Sequence, residues 1–218
     1  MKAARKIPEK PVSLILIIIY LVGIAGSAMP VTREYFFILT PYILLLSFII
    51  LLICHSSRVE KKTILAFLSI FLVSYCVEVA GVSSGIIFGP YIYGKGLGIK
   101  LLNTPLIIGL NWLLLIYCTY VIADKLRGGI LSKILYGSAL MVLYDLIMEQ
   151  VAPSMDMWTF EGGAAPVRNY ISWFLLAMLF HFIFRKLDIK ITNRIAPLIF
   201  LCQGGLFISL FIIFKLTE

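Results

Sequence analysis

Three carboxylic acids stand where this sequence is otherwise apolar: Glu78, Asp145 and Glu149. An acidic side chain at the middle of a membrane-spanning helix costs about 2.5–3.5 kcal/mol on insertion scales, so such residues face a bundle interior and serve a function there. Asp145 and Glu149 are four residues apart, one helical turn, and share a helix face. Desolvation and mutual repulsion both favour the neutral form of paired carboxyls, so at least one is expected to hold a proton at neutral pH. A retained proton makes a general acid. The bland alternative has Glu149 in interfacial water and Asp145 bonded to a neighbouring helix.

Depth brings further residues to the same level. At 1.5 Å per residue, Glu78 lies about 22 Å into its span and Asp145 about 21 Å into its own, both counted from the same side. Asn111 and Trp112, on a span that enters from the other side near Pro105, are about 10 Å down. Asn169 and Trp173 open a later span in that same half, which predicts a polar cluster in the outer leaflet. Trp112 adjoins Asn111, and its ring face suits a cationic intermediate. Trp158 and Trp173 read first as an interfacial aromatic belt. Tyr91, Tyr93 and Tyr170 fit either interfacial anchors or groups that hold water or a substrate hydroxyl.

The elements that must position these groups follow from composition. Sixty-one per cent of the 218 residues are hydrophobic and 14% charged, against roughly a quarter charged in globular chains, so the solvent is lipid. About twenty apolar residues cross a hydrocarbon core of about 30 Å, and that length selects seven spans: 13–29, 36–54, 63–80, 105–122, 131–150, 169–184 and 195–214. The expected fold is an all-α polytopic membrane protein forming one domain over 1–218. Pro30, Pro41, Pro105, Pro153, Pro166 and Pro197 fall near the ends of these runs, where a missing amide hydrogen matters least. The first run follows a basic start but lacks a small-x-small cleavage site, so it reads as a retained helix rather than a signal peptide.

Orientation follows from Lys and Arg, which accumulate in cytoplasmic loops. An amino terminus inside puts fourteen of the nineteen on that side: Lys2, Arg5, Lys6, Lys10, Arg58, Lys61, Lys62, Lys125, Arg127, Lys133, Arg185, Lys186, Lys190 and Arg194. The carboxyl terminus is then outside. Two loops on the outer side, about 81–104 and 151–168, are rich in glycine and aromatics. The first is too apolar for a solvated loop and too broken by glycine for a helix, so a segment dipping back under cover of protein is expected.

Several chemistries are excluded. The net charge of +8 is scattered over short loops without a binding motif, so no nucleic-acid partner is expected. The Gly94-Lys95-Gly96-Leu97-Gly98 stretch lacks the spacing of a phosphate loop. Cys54, Cys76, Cys118 and Cys202 stand singly, and neither His55 nor His181 has a second ligand at helical spacing, so no metal site is read. Retinal chemistry needs a lysine in the middle of the last span, where only Lys215 occurs, at its very end. No aspartate-rich magnesium motif of a prenyltransferase is present.

The pattern Glu78-x-x-Gly81-x-x-x-Gly85, Phe88-Gly89-Pro90-Tyr91-x-Tyr93 with Gly98, Pro105 and Trp112, Asp145-x-x-x-Glu149, Trp158, and Pro166-x-x-Asn169-Tyr170-x-x-Trp173 resembles the membrane carotenoid biosynthesis proteins that include carotenoid hydratases. It covers roughly the later two thirds of the chain. One departure is Gln150, where that family commonly has proline. The resemblance implies a multi-pass protein of the cell (inner) membrane that adds water across the terminal C=C bond of an acyclic carotenoid end, giving a tertiary alcohol without any cofactor. It implies a membrane-embedded carotenoid as substrate, with the lipid bilayer and other carotenoid biosynthesis enzymes as partners. Asp145 or Glu78 would be the acid, and the other, with Glu149, would take the proton from the attacking water. Asn111, Asn169 and Tyr91 would orient that water while Trp112 faces the cation, with Tyr93, Trp158, Tyr170 and Trp173 completing the substrate site. The competing reading is a proton-coupled lipid or small-molecule transporter, or a non-catalytic accessory protein, in which the same carboxyls form a relay; the sequence lacks the internal repeats common in transporters.

Overall fold

Apolar residues at helical spacing with few breakers dictate helices, and the computed structural model, which describes residues 9–217, is dominated by them. The helices are α1 (Glu9–Ala28), α2 (Arg33–Ile38), α3 (Thr40–Ile53), α4 (Lys61–Ser84), α5 (Ile107–Asp124), α6 (Ile130–Met148), α7 (Val167–Lys186) and α8 (Ala196–Thr217). Among the described residues six are long and apolar enough to cross a membrane: α1 and α4 to α8. The expected span 36–54 is divided at Leu39 into α2 and the 14-residue α3. Pro41, in the first turn of α3, has no N–H to give to a carbonyl four residues back, and its ring obstructs the preceding turn. Lys2, Arg5 and Lys6 of the basic amino-terminal stretch lie outside the described residues.

Helix α5 is the axis of the bundle. Every residue from Asn111 to Val121 is buried, whereas the surrounding helices turn Leu14, Leu21, Ile64, Leu131, Leu175 and Leu201 outward, each more than half exposed, as lipid-facing side chains require. Close approach rests on small residues. A Cβ added at Gly109 of α5 would lie 2.7 Å from the carbonyl oxygen of Phe71 in α4, and one at Gly137 of α6 would lie 2.7 Å from the His181 ring of α7. Such positions let helix backbones pack in lipid, where burial of apolar surface supplies no driving force between helices.

The two ends of the bundle differ. At one, Asp124 accepts hydrogen bonds from Arg185 (2.6 Å) and Lys133 (3.1 Å), and the Arg185 guanidinium stacks 4.0 Å from the Tyr120 ring centre. This ties the end of α5 to α6 and α7. At the other, the two glycine-rich loops form a cap built on short strands. Strand β1 (Tyr91–Tyr93) pairs antiparallel with β4 (Trp158–Phe160), aligning Tyr91 with Phe160 and Tyr93 with Trp158, while β2 (Lys100–Leu101) and β3 (Thr104–Pro105) make a tight hairpin. The glycines permit close contact between the loops: a Cβ at Gly94 or Gly96 would collide with Asp156 or the Met155 carbonyl. Asp156 in turn accepts the Lys95 amide N–H at 2.9 Å.

Filling the α4–α5 contact should be felt directly. Gly109→Val is expected to destabilise the detergent-solubilised protein by about 1–3 kcal/mol through overpacking, read as a lowered thermal unfolding midpoint. Gly162→Ala, whose added methyl meets no atom within 4 Å, should leave the midpoint unchanged.

Candidate active site

The alternation of a β-strand sends every second side chain to one face, and in the β1–β4 ribbon that rule delivers Tyr91, Tyr93, Trp158 and Phe160 to the buried face while Ile92 and Thr159 point away. The two tyrosine hydroxyls converge on one carboxylate oxygen: Tyr91 donates to Glu78 Oε2 at 2.6 Å and Tyr93 at 2.9 Å. Trp112 of α5 donates its Nε1–H to the other oxygen, Oε1, at 3.0 Å. Glu78, only 3% exposed, thus receives three donors from two separate parts of the chain. Burial and the adjacent Glu78 charge push both tyrosine hydroxyls well above their ordinary range, so each stays a donor.

Asp145 is arranged differently. Its Oδ2 accepts from Asn169 Nδ2 of α7 at 2.7 Å, whereas its Oδ1, fully buried, has no protein partner. Asn111 Oδ1 is likewise buried and unpaired. Glu149 caps the end of α6, one turn beyond Asp145, and both its oxygens lie at 3.0–3.1 Å from Trp158 Nε1. It is half-buried, the least enclosed of the three acids.

All three acids line one cavity of about 20 Å³, together with Tyr91, Tyr93, Asn111, Trp112, Trp158, Asn169 and Trp173. That volume holds one water molecule, and Asp145 and Asn111, each with one unpaired buried oxygen, are among its lining residues. Trp112 stacks on Trp173 with ring centres 4.1 Å apart. Both Trp158 and Trp173 are more than nine-tenths buried, so they are cavity walls rather than belt residues; Trp158 is carried inward by its ribbon and Trp173 by its place one helical turn from Asn169.

Of the residues singled out in the sequence, Tyr170 alone falls elsewhere, in a shallow outer depression between α6 and α7 with Val142 and Phe174. Four cavity residues were given no site role in the sequence: Phe88, named there only within the family pattern, and Ile108, Met148 and Phe160. Phe160 was recoverable, since it stands two residues after Trp158 on the same strand face. Phe88 packs over Gly81, where an added Cβ would lie 2.5 Å from its ring, a contact that only the fold reveals.

The sequence profile of the family described as carotenoid biosynthesis protein matches residues 39–213, which include every residue of this cavity. The bisanhydrobacterioruberin hydratase of Haloarcula japonica is 27% identical to this chain over 151 residues, covering 64% of this chain and 52% of that protein. The chain therefore spans about half the length of that curated relative. No solved structure matches.

Removing a single donor to Glu78 tests the cage. Tyr91→Phe and Tyr93→Phe are each expected to lower stability by about 1.5–3 kcal/mol, the range for hydrogen bonds to a charged group. Because both donate to Oε2, the double substitution should depart from the sum of the two, as measured by a double-mutant cycle of unfolding free energies in detergent.

Proposed function

Because the chain belongs to the family of carotenoid biosynthesis proteins, we propose that it hydrates the terminal C=C bond of an acyclic carotenoid end group to a tertiary alcohol, without a cofactor. The observation that carries this reading is the buried, unpaired Oδ1 of Asp145 beside a water-sized cavity that two further carboxyls share. A lone carboxylate oxygen without a partner in that setting is costly, and a proton on it turns the liability into a reagent.

In this mechanism the Asp145 carboxyl gives its proton to the less substituted alkene carbon. The π pair forms the new C–H bond and leaves a tertiary cation. In this reading Glu78 is the ionised acid, with three donors already in place around it, and supplies the opposing charge, while the stacked Trp112 and Trp173 offer ring faces. A water held by Asn111 attacks the cation through oxygen, and Glu149 takes the proton it releases. Returning that proton to Asp145, one helical turn away, restores the starting state, so the net change is alkene plus water to alcohol. Support for the apolar substrate comes from the setting, since a polyene dissolved in the bilayer meets this site without passing through water. The same reading makes α2 and α3 together a seventh crossing of the cell membrane, with the basic end of the bundle in the cytoplasm and other carotenoid biosynthesis enzymes as neighbours in the bilayer.

Purified protein in liposomes, given lycopene or γ-carotene in oxygen-18 water, should yield a labelled tertiary alcohol with no added cofactor. Asp145→Asn should lower turnover by about 10²- to 10⁴-fold, the usual weight of a general acid, while inserting normally. An unlabelled or absent product across acyclic carotenoids would sink the hydration reading, and full activity in the Asn variant would remove Asp145 from the role of acid.

A further inference from the structure

A cavity that holds one water cannot take the length of a carotenoid chain, so the body of the substrate must lie in another space. A groove of about 260 Å³ runs between α1, α3 and α8. Its outer wall includes Ile18, Val22 and Leu39, which are 49%, 52% and 44% exposed, so it opens on the lipid-facing surface. Its floor is Tyr144 of α6, the residue before Asp145, with Phe207 of α8 beside it.

The groove and the acid cavity are separated by a few shared side chains, with one small space between them. A constriction of about 10 Å³ shares Leu44, Tyr144 and Phe207 with the groove, and shares Ile108, Asn111, Met148 and Trp158 with the acid cavity. The outer depression between α6 and α7, by contrast, has no lining residue in common with the acid cavity. One polar group in the groove is weakly satisfied: Gln203 is 2% exposed, its Oε1 accepts from Tyr144 at 3.5 Å, and its Nε2, beside the Tyr20 hydroxyl, makes no well-formed hydrogen bond. A conjugated chain offers that N–H a π face, which a saturated chain does not. A rigid polyene also loses less conformational freedom on binding than a flexible chain of equal length.

We propose that the groove between α1, α3 and α8 binds the polyene chain of the carotenoid and directs its end group past Leu44, Tyr144 and Phe207 to Asp145. This rests on the hydration reading for its reaction, although not for its binding. The wall contributed by α1 lies outside the region that matches the family profile.

Binding and turnover can be measured separately on the full chain in phosphatidylcholine nanodiscs, using the circular dichroism that a bound, twisted lycopene acquires. Gly23→Phe and Ile43→Trp, which fill the groove from α1 and α3, should each weaken lycopene binding by about tenfold or more; Ala139→Trp, which fills the other depression, should not. Size-exclusion profiles identify folded variants. On the unsubstituted protein, carbene footprinting with lycopene present should protect Ile18, Leu39 and Leu206. Wild-type affinity in a folded groove variant, an equal loss in Ala139→Trp, or unprotected groove residues would overturn the assignment. Equal affinity for lycopane, the saturated hydrocarbon of the same length, would overturn the choice of a polyene. Groove-dependent binding without labelled alcohol would leave the groove standing and remove the hydration reading, whereas alcohol formation with unchanged KM in Gly23→Phe would do the reverse.

Discussion

Most of the architecture at the capped end answers to one requirement, that the buried carboxyl of Glu78 be satisfied by protein groups. Glu78 is buried between helices, where an unpaired charge would cost several kcal/mol. Three neutral donors meet it, two from the β1–β4 ribbon and one from the central helix. Because the donors come from separate elements, the carboxylate holds the cap to the bundle as well as being held by it. The ribbon register follows from the same demand: Tyr91 and Tyr93 must share a strand face, which leaves Ile92 to point outward.

Beside that fully bonded carboxyl, the other two acids have fewer partners. Asp145 has one oxygen tied to Asn169 and one left free, while Glu149 meets a single indole N–H and is partly open. Three carboxyls in one cavity therefore have unequal capacity to exchange protons. In the proposed hydration that inequality separates the roles: a permanently paired group provides charge, and the two with spare capacity move protons. A chemistry built only from differences in hydrogen bonding suits a site whose dry walls strengthen every electrostatic contact.

Much of this was legible in the chain. The depth argument put Glu78, Asn111, Trp112, Asp145 and Asn169 at one level because helix rise is fixed and apolar runs have sharp ends, and all five line the cavity. What failed to show was the cap. Strands of two or three residues carry no usable periodicity, so the 81–104 and 151–168 loops gave composition but no pairing partner, and the inward turn of Trp158 depends on a partner sixty-odd residues away. Tyr170 erred for the opposite reason: its neighbour Asn169 faces the cavity, and one step along a helix rotates a side chain by about 100°, enough to carry Tyr170 to the α6–α7 surface. The interrupted span at Leu39 was concealed because Pro41 near a helix start is ordinary, and whether such a proline begins a new helix or sits inside a longer one depends on packing.

The polarity of the bundle follows from where each interaction can survive. Ion pairs among Asp124, Lys133 and Arg185 sit at the basic end with Asp124 half exposed, where water tolerates long charged side chains. The carboxyl cluster sits toward the other end, under a cap that replaces water with tyrosine and indole donors. An acid that must protonate an alkene needs the second environment, because bulk water would both level its acidity and quench a cation indiscriminately. In the proposed hydration, a cavity with space for one water would admit the nucleophile in the required stoichiometry, with the lipid-soluble partner approaching through the separate apolar groove. The seal over Glu78 is therefore the same structural feature that would limit the number of waters able to reach the cation.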